Sequence, residues 1–216
     1  MSNPIKVILV DDHAVVRAGF RMLLSTEQNI QVIAEAERGE QAYQLYLEKQ
    51  PDVMVMDLSM PGIGGLESIR RICMRDANAK LLVFSVHDEM VYVNRALQAG
   101  AKGYITKHGD PAIMVTAIQA IAAGEIFVEP GLLLNKQCQT ETDPVTYQSI
   151  IASLSSREFD IFLLLAKGLT VHKIADELCL GYKTVANYST QIKSKFQAET
   201  ITELAHIAMI LGLMKK

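Results

Sequence analysis

Acidic side chains follow two short apolar runs of the sequence, at the points where those runs end. Asp11 and Asp12 come directly after Ile5–Val10, and Asp57 comes directly after Val53–Met56. Carboxylates that lie close together repel one another, so some of them become protonated unless a cation neutralises the group. Hard oxygen ligands with a high negative charge favour Mg²⁺, which keeps several of its waters. If folding brings these residues together, the pattern predicts a magnesium site.

A hydroxyl and an ammonium group follow two further runs of the same kind. Ser85 ends the run 80–85, and Lys107 follows the run 103–105. Both side chains can bind phosphate oxygens. Together with the carboxylates they suit the transfer of a phosphoryl group onto an aspartate, with the metal and Lys107 stabilising the group in transit.

Each of these residues also has an ordinary structural interpretation. An Asp-Asp pair after a strand often caps a helix, and Asp12 is a candidate N-cap. A single lysine such as Lys107 is usually a solvated surface residue. However, four run ends carry Asp-Asp, Asp, Ser and Lys, whereas most other positions of these runs are apolar. This combination favours a shared site over four unrelated structural roles.

The elements that carry these residues alternate between strand-like and helix-like runs. Five such units predict an α/β fold, with a five-stranded parallel doubly wound sheet, right-handed crossovers and helices on both faces. In such folds the functional residues gather at the carboxyl ends of the strands. The first helical run is Ala14–Ser25, with Val15, Ala18 and Met22 on one face.

The last part of the chain, 149–216, has the pattern of a small all-α domain. Ser155 and Glu158 have the spacing of a capping box at the start of a helix. Further on, a short helix, a tight turn at 179–181 and a longer helix at 183–196 follow one another. A short helix, a turn that contains glycine and a second helix predict a helix-turn-helix.

Charge divides the 216 residues into two parts, although the net charge of the whole chain is only -3. Residues 1–130 carry 12 Lys and Arg against 16 Asp and Glu, whereas residues 149–216 carry 8 against 6. The polar stretch 135–143 between them has the composition of a linker. We therefore expect a first domain at 1–128, a linker at 129–148 and a second domain with a different task.

Composition excludes several other classes of protein. Half of the residues are apolar, which argues against a disordered chain. The longest apolar stretches, 161–166 and 207–214, are far shorter than the roughly 20 residues that span a bilayer. The cysteines Cys73, Cys138 and Cys179 lack the spacing of a disulfide framework or a zinc site. The N-terminal sequence also lacks the long apolar core of a signal peptide. We therefore expect a cytoplasmic protein without a membrane partner.

The first domain resembles the receiver domain of two-component response regulators. The residues that carry this resemblance are Val10-Asp11-Asp12-His13, Met56-Asp57-Leu58-Ser59-Met60-Pro61-Gly62, Gly65-Leu66-Glu67, Ser85, Ala99-Gly100-Ala101, Gly103-Tyr104 and Lys107. The resemblance implies that Asp57 accepts a phosphoryl group from a sensor histidine kinase. It also implies that Asp12, Asp57 and the backbone carbonyl of Ser59 hold Mg²⁺, and that Asp11 acts through water.

The same resemblance assigns residues to a conformational switch and to the control of dephosphorylation. It implies that Ser85 binds a phosphoryl oxygen and that Tyr104 turns inward as the switch aromatic residue. Ser59 and His87 occupy positions at which members of the family vary and at which they tune dephosphorylation. The chain is therefore expected to hydrolyse its own aspartyl phosphate slowly and to catalyse no other reaction.

The second domain resembles the LuxR-type helix-turn-helix. The residues that carry this resemblance are Leu154-Ser155-Ser156-Arg157-Glu158, Ala166-Lys167-Gly168-Leu169-Thr170, Lys173-Ile174-Ala175, Lys183-Thr184-Val185 and Ile192-Lys193-Ser194-Lys195-Phe196. Together the two domains resemble the NarL/FixJ class of transcriptional regulators. This class implies double-stranded promoter DNA as a partner, and a homodimer when the receiver is phosphorylated.

Helix 183–196 has the pattern of a recognition helix for the major groove. Asn187 can bind adenine, and the methyl groups of Ala186 and Thr190 can contact thymine. Many relatives carry a lysine in place of Ala186. The side chains expected to contact phosphates are Lys183, Thr184, Lys193 and Lys195. The alternative is a solvated helix in a protein-interaction bundle, because the domain is only weakly basic.

We interpret the chain as a phosphorylation-dependent transcriptional regulator. Phosphorylation of Asp57 is expected to change the packing of the fourth strand, the helix 89–98 and Tyr104, and the helix 202–211 is the expected dimer contact. One alternative is a receiver-type adaptor that works without phosphate. Another is a phosphatase of the haloacid-dehalogenase type, but that would need Asp-x-Asp after the first strand, whereas this chain has adjacent aspartates.

Overall fold

The computed structural model describes residues 3–134 and 144–214. The chain forms two compact units, Met1–Gln137 and Cys138–Lys216. The stretch 135–143, which has the composition of a linker, lies outside the described residues.

The first unit is built on a parallel sheet. Its strands are β1 (Ile5–Val10), β2 (Ile30–Ala36), β3 (Val53–Met56), β4 (Leu81–Ser85), β5 (Gly103–Thr106) and β6 (Phe127–Val128). They lie in the order β2-β1-β3-β4-β5-β6, and each neighbouring pair is parallel. The predicted parallel α/β fold is confirmed, and β6 adds a short sixth strand to the five that were predicted.

Helices connect the strands, and a short helix follows the last strand. They are α1 (Ala14–Ser25), α2 (Gly39–Lys49), α3 (Gly64–Arg75), α4 (Met90–Gln98), α5 (Ala112–Ala122) and α6 (Pro130–Leu134). Every residue of the central strands β3 and β4 is buried. A strand covered on both faces needs apolar side chains at every position, which explains the uninterrupted apolar runs of the sequence.

The face of α1 that packs against the core is not the apolar face that was predicted from the sequence. Val15 and Met22 are 86% and 73% exposed. The residues that pack toward the sheet are instead Val16, Phe20 and Leu24. Two apolar stripes overlap on this helix, and burial under the sheet selects the one that contains the larger aromatic and leucine side chains.

In the second unit the described residues, 144–214, form helices and the turns between them, as predicted. Its helices are α7 (Pro144–Ser153), α8 (Ser156–Ala166), α9 (Val171–Glu177), α10 (Tyr182–Phe196) and α11 (Ile201–Ile210). The Ser155 hydroxyl and the Glu158 side chain form the predicted reciprocal capping box at the start of α8. Phe162 stacks on Phe196 with ring centroids 4.8 Å apart, and this contact fixes α8 against α10.

Both ends of the segment predicted as a linker, 129–148, contain helical residues. Helix α6 occupies one end, and the first turns of α7 occupy the other. Two features hid these helices from sequence analysis: α6 has only five residues, and α7 begins at a proline next to a polar stretch.

Candidate functional site

Three carboxylates meet at the carboxyl ends of β1 and β3. Asp11 and Asp57 are buried, whereas Asp12 is exposed. A hydrogen bond from the Asp57 amide to the Val10 carbonyl, at 2.8 Å, places the two strand ends side by side. Ligand atoms of these three carboxylates and of His13 all lie within 4.8 Å of one another. The structure thus brings together the carboxylates that the sequence places after separate strands.

Lys107, after β5, reaches across to two of these carboxylates. Its Nζ donates to Asp11 Oδ2 at 2.6 Å and to Asp57 Oδ2 at 2.7 Å. Burial lowers the pKa of Lys107, but the hydrogen bonds with the two carboxylates outweigh burial and raise the pKa above its usual value. Because its side chain is only 11% exposed, Lys107 is not the solvated surface lysine of the alternative interpretation.

The Asp57 carboxylate is held at both of its oxygens. Oδ1 accepts the Ser59 amide at 3.2 Å, and Oδ2 accepts Lys107. Burial raises the pKa of Asp57 above its usual value, and the hydrogen bond from Lys107 acts in the opposite direction. A carboxylate held at both oxygens in a buried position has a fixed orientation toward an incoming reactant.

Asp12 does not cap α1, contrary to the ordinary interpretation of the Asp-Asp pair. The N-cap residue is His13, and its side chain makes no capping hydrogen bond. The Asp12 carboxylate instead lies 2.9 Å from His13 Nδ1, with 31% of its side chain exposed. Asp12 is therefore open to solvent at the edge of the acidic cluster.

Ser85 and Tyr104 are both fully buried and meet at the backbone of His87. Ser85 Oγ accepts the His87 amide at 3.2 Å, and the Tyr104 hydroxyl donates to the His87 carbonyl at 2.8 Å. Burial raises the pKa of Tyr104 well above its usual value, so this hydroxyl stays a neutral donor. The ring of Tyr104 therefore lies inward in this structure.

The His87 side chain connects the loop after β3 with α4. Its Nε2 lies 3.2 Å from Ser59 Oγ. Its ring stacks on Tyr92, with centroids 3.9 Å apart and an interplanar angle of 4°. Ser59, which is exposed, and His87 therefore touch each other next to the Asp57 carboxylate.

Two residues near the cluster were not predicted as site residues. His13 contacts both Asp11 and Asp12 through Nδ1. Arg17 is 8% exposed, and its Nη1 donates to the Asp11 carbonyl at 2.6 Å. Its acidic partners lie 18 and 20 positions along the chain, so no local spacing marks them. The only sign in the sequence was the position of Arg17 on α1, next to residues that face the core.

Helix α10 has the two faces that the sequence predicts. Val185, Ile192 and Phe196 are buried. The residues predicted to contact DNA include five exposed side chains, Lys183, Thr184, Asn187, Thr190 and Lys195, and two half-buried ones, Ala186 and Lys193.

Three of these side chains form hydrogen bonds inside the domain. Lys195 Nζ donates to Glu158 Oε1 at 2.6 Å, and Lys193 Nζ donates to the Glu199 carbonyl at 3.3 Å. The hydroxyl of Thr190 donates to the carbonyl one turn earlier, at 3.1 Å. The two lysines would have to give up or share these contacts in order to bind phosphates.

Helix α11, the expected dimer contact, presents apolar side chains to solvent. Ile201, Met209 and Ile210 are 39%, 41% and 45% exposed. Its other side, which contains Leu204 and Ile207, is buried in the domain. Among the described helices of the whole chain, none is both long enough and apolar enough to cross a membrane.

Comparison with known families matches both parts of the chain. The response regulator receiver domain matches residues 7–119. The LuxR family of bacterial regulatory proteins matches residues 152–208. Both matches fall where the sheet and the helix-turn-helix lie.

Individual relatives match over nearly the full length. The transcriptional activator protein ExaE of Pseudomonas putida is 38% identical over 209 residues, which cover 97% of this chain and 98% of that protein. The response regulator UvrY of Escherichia coli K12 is also 38% identical over 209 residues, with 97% and 95% covered. A solved LuxR-family response regulator from Aurantimonas sp. SI85-9A1 is 42% identical, with a TM-score of 0.59, and covers 61% of this chain and 94% of its own. The chain therefore belongs to the NarL/FixJ class of two-component response regulators, which are transcription regulators that join a receiver domain to a LuxR-type DNA-binding domain.

Proposed function

We propose that Asp57 is the residue that accepts a phosphoryl group from a sensor histidine kinase. The observation that carries this proposal is the buried Asp57 carboxylate, held by Lys107 and by the Ser59 amide. A carboxylate oxygen attacks the phosphorus of the kinase phosphohistidine; the new P–O bond forms as the P–N bond breaks, and the imidazole leaves and takes up a proton. Lys107 then balances the charge on the transferred oxygens.

The donor set at this edge of the sheet fits Mg²⁺. Three carboxylates supply hard oxygen ligands within a small volume. In this proposal Asp12, Asp57 and the backbone carbonyl of Ser59 hold the ion, and Asp11 acts through water. When bound, the ion supplies positive charge that stabilises the phosphoryl oxygens during transfer. Lys107 contributes to the same task from its position between Asp11 and Asp57.

The proposed switch acts through the residues that meet at His87. The hydroxyl of Ser85 turns from the His87 amide to a phosphoryl oxygen. The side chain of Tyr104 changes position as well, because its hydroxyl donates to the His87 carbonyl. This change repacks β4, β5 and α4. Slow hydrolysis of the aspartyl phosphate ends the signal, and the contact between Ser59 and His87 influences its rate.

The proposed output is promoter binding by a homodimer in the cytoplasm. Phosphorylation promotes dimer formation, with the exposed apolar side chains of α11 as the contact in the DNA-binding half. Helix α10 enters the major groove, where Asn187 reads a base and Lys183 and Thr184 contact phosphates. The name of ExaE, a transcriptional activator, supports transcription as the output.

Phosphorylation with a small phosphodonor tests the central step. We expect wild-type protein with Mg²⁺ and acetyl phosphate to gain one phosphate by intact mass, and Asp57→Ala to gain none. Asp52→Ala is the matched control, because Asp52 is an exposed aspartate just before the opposite end of β3. Labelling of Asp57→Ala at the wild-type level would refute the assignment. A wild-type chain that takes up no phosphate would favour the phosphate-independent adaptor.

A further inference from the structure

Arg17 is a buried charge next to the acidic cluster. Its side chain is only 9% exposed. Its guanidinium donates to three acceptors: Glu35 Oε2 at 3.2 Å through Nε, Glu37 Oε1 at 2.6 Å through Nη2, and the Asp11 carbonyl at 2.6 Å through Nη1. Burial of a charge is costly unless the charge is paired and hydrogen-bonded, and Arg17 meets both conditions.

Strand β2 and the bend just after it supply the two glutamates of this contact. The pairing of β1 with β2 shifts between Val7 and Ile8, so that Leu9 pairs with Glu35. Glu35 lies in β2, and Glu37 lies two positions further along, just after the strand ends at Ala36. Irregularities of this kind re-aim side chains and are common near functional sites. As a result both carboxylates meet the guanidinium that α1 presents.

The third contact of Arg17 is with the backbone of Asp11, which two other hydrogen bonds already restrain. Asp11 Oδ2 accepts Lys107, and Asp11 Oδ1 accepts the His13 amide at 2.8 Å. The hydrogen bond from Arg17 fixes the backbone at the same residue. Asp11 is therefore held at its carbonyl and at both carboxylate oxygens.

We infer that Arg17 is a positioning residue for the magnesium site, acting through the backbone of Asp11. This inference rests on the proposed function, since it assumes that the acidic cluster binds Mg²⁺. A planar guanidinium can span three separate acceptors, and a lysine ammonium at the same place cannot match that fork. When the guanidinium is lost, the Asp11 carbonyl is no longer held. The Asp11 carboxylate then loses its fixed direction toward Lys107 and the ion.

The sign of the change in Mg²⁺ affinity separates this role from a purely electrostatic one. A positive charge near the cluster repels a cation, so an electrostatic role predicts tighter binding when the charge is removed and no change when it is kept. A positioning role predicts weaker binding even when the charge is kept. Arg17→Lys keeps the charge and removes the fork, which makes it the informative variant.

The experiment titrates the full chain with Mg²⁺ by isothermal calorimetry at a temperature where circular dichroism shows folded protein. We expect Arg17→Lys to bind Mg²⁺ about tenfold more weakly than wild type, as is common for partners that orient metal ligands. The matched control is Arg21→Lys, because Arg21 donates to the same Glu35 at 2.8 Å but is itself 60% exposed. Its affinity should stay within about twofold of wild type.

Affinity that is unchanged or increased in folded Arg17→Lys overturns the inference, and so does an equal loss in Arg21→Lys. If Arg17→Lys does not fold, Glu37→Asp decides, because it keeps the charge, withdraws one acceptor from the guanidinium and leaves Arg17 in place. A weaker Mg²⁺ affinity in that variant supports the inference, and an unchanged affinity overturns it. A wild-type chain that binds no Mg²⁺ contradicts the proposed function itself.

Discussion

Asp11 and Asp12 are neighbours in the sequence but have different surroundings in the fold. Asp11 is 4% exposed and accepts Lys107 and the His13 amide. Asp12 has a side chain that is 31% exposed and that pairs with the largely solvated His13. Asp11 is thus committed to the interior of the site, whereas Asp12 can meet a cation that arrives from solvent.

This difference leads to a prediction for Asp12→Asn. The variant removes one of three carboxylate charges, so we expect Mg²⁺ affinity to fall by about tenfold or more in a calorimetric titration. The stability of the domain should change by less than about 0.5 kcal/mol, because Asp12 caps no helix and lies at the surface. Asp52→Asn, at an exposed position before β3, serves as the control and should leave Mg²⁺ affinity unchanged. Wild-type affinity in Asp12→Asn would remove Asp12 from the proposed ligand set.

The predictable part of the site follows from strand ends. Asp57, Ser85 and Lys107 each stand at the end of an apolar run, and parallel strands place such ends at one edge. Their placement at one edge of the sheet could therefore be anticipated from the sequence. The role of Arg17 could not, because its two glutamate acceptors lie in β2 and just after it, 18 and 20 positions along the chain, and become neighbours only in the folded domain.

At the scale of elements, long apolar or periodic segments can be predicted from the sequence. Very short strands cannot, and neither can the buried face of a helix that has two apolar faces. Strands β3 and β4 are buried on both faces, so their apolar runs mark them clearly. Strand β6 has two residues, too few to show any period. On α1, the stripe of Val15 and Met22 and the stripe of Phe20 and Leu24 are both apolar, and the sheet decides which one is buried.

The contact between α8 and α10 includes an ion pair whose carboxylate also belongs to a helix cap. Glu158 accepts the Ser155 amide at 2.8 Å through Oε2 and Lys195 at 2.6 Å through Oε1. Burial raises the pKa of Glu158, but the hydrogen bonds from Lys195 and Ser155 outweigh burial, so the pKa lies below its usual value of 4.5. A carboxyl whose pKa is lowered by folding stabilises the fold above its unfolded pKa.

We therefore predict that Glu158→Gln destabilises the DNA-binding domain in a pH-dependent way. Glutamine keeps the capping geometry but loses the charge, so the cost at neutral pH should be about 1 to 2 kcal/mol. The difference from wild type should shrink as the pH falls below about 4.5 and the wild-type carboxyl becomes protonated. Chemical denaturation of a fragment spanning 138–216, at a series of pH values, measures both quantities. A difference that does not depend on pH would show that shape, and not charge, explains the effect.

At the scale of the whole molecule, charge is divided between the two units. Residues 1–130 have a net charge of -4, whereas residues 149–216 have a net charge of +2. Helix α10 contains three lysines, and two of them, Lys193 and Lys195, already make hydrogen bonds inside the domain. One copy of the domain therefore offers few cations to a DNA backbone, so we expect useful affinity to require a second copy.

The salt dependence of DNA binding tests this requirement for two copies. The logarithm of the binding constant falls with the logarithm of salt concentration by about 0.9 for each phosphate that is neutralised. A symmetric dimer reads two half-sites about 10 base pairs apart and neutralises twice as many phosphates as one copy. Phosphorylated wild-type protein should therefore bind operator DNA more tightly than Asp57→Ala, with a slope nearly twice as steep. Asn187→Ala, when phosphorylated, should keep the steep slope and lose the preference for operator over unrelated DNA, because Asn187 carries no charge. Equal slopes for wild type and Asp57→Ala would contradict the phosphorylated dimer, and a retained preference would exclude Asn187 as a reader of bases.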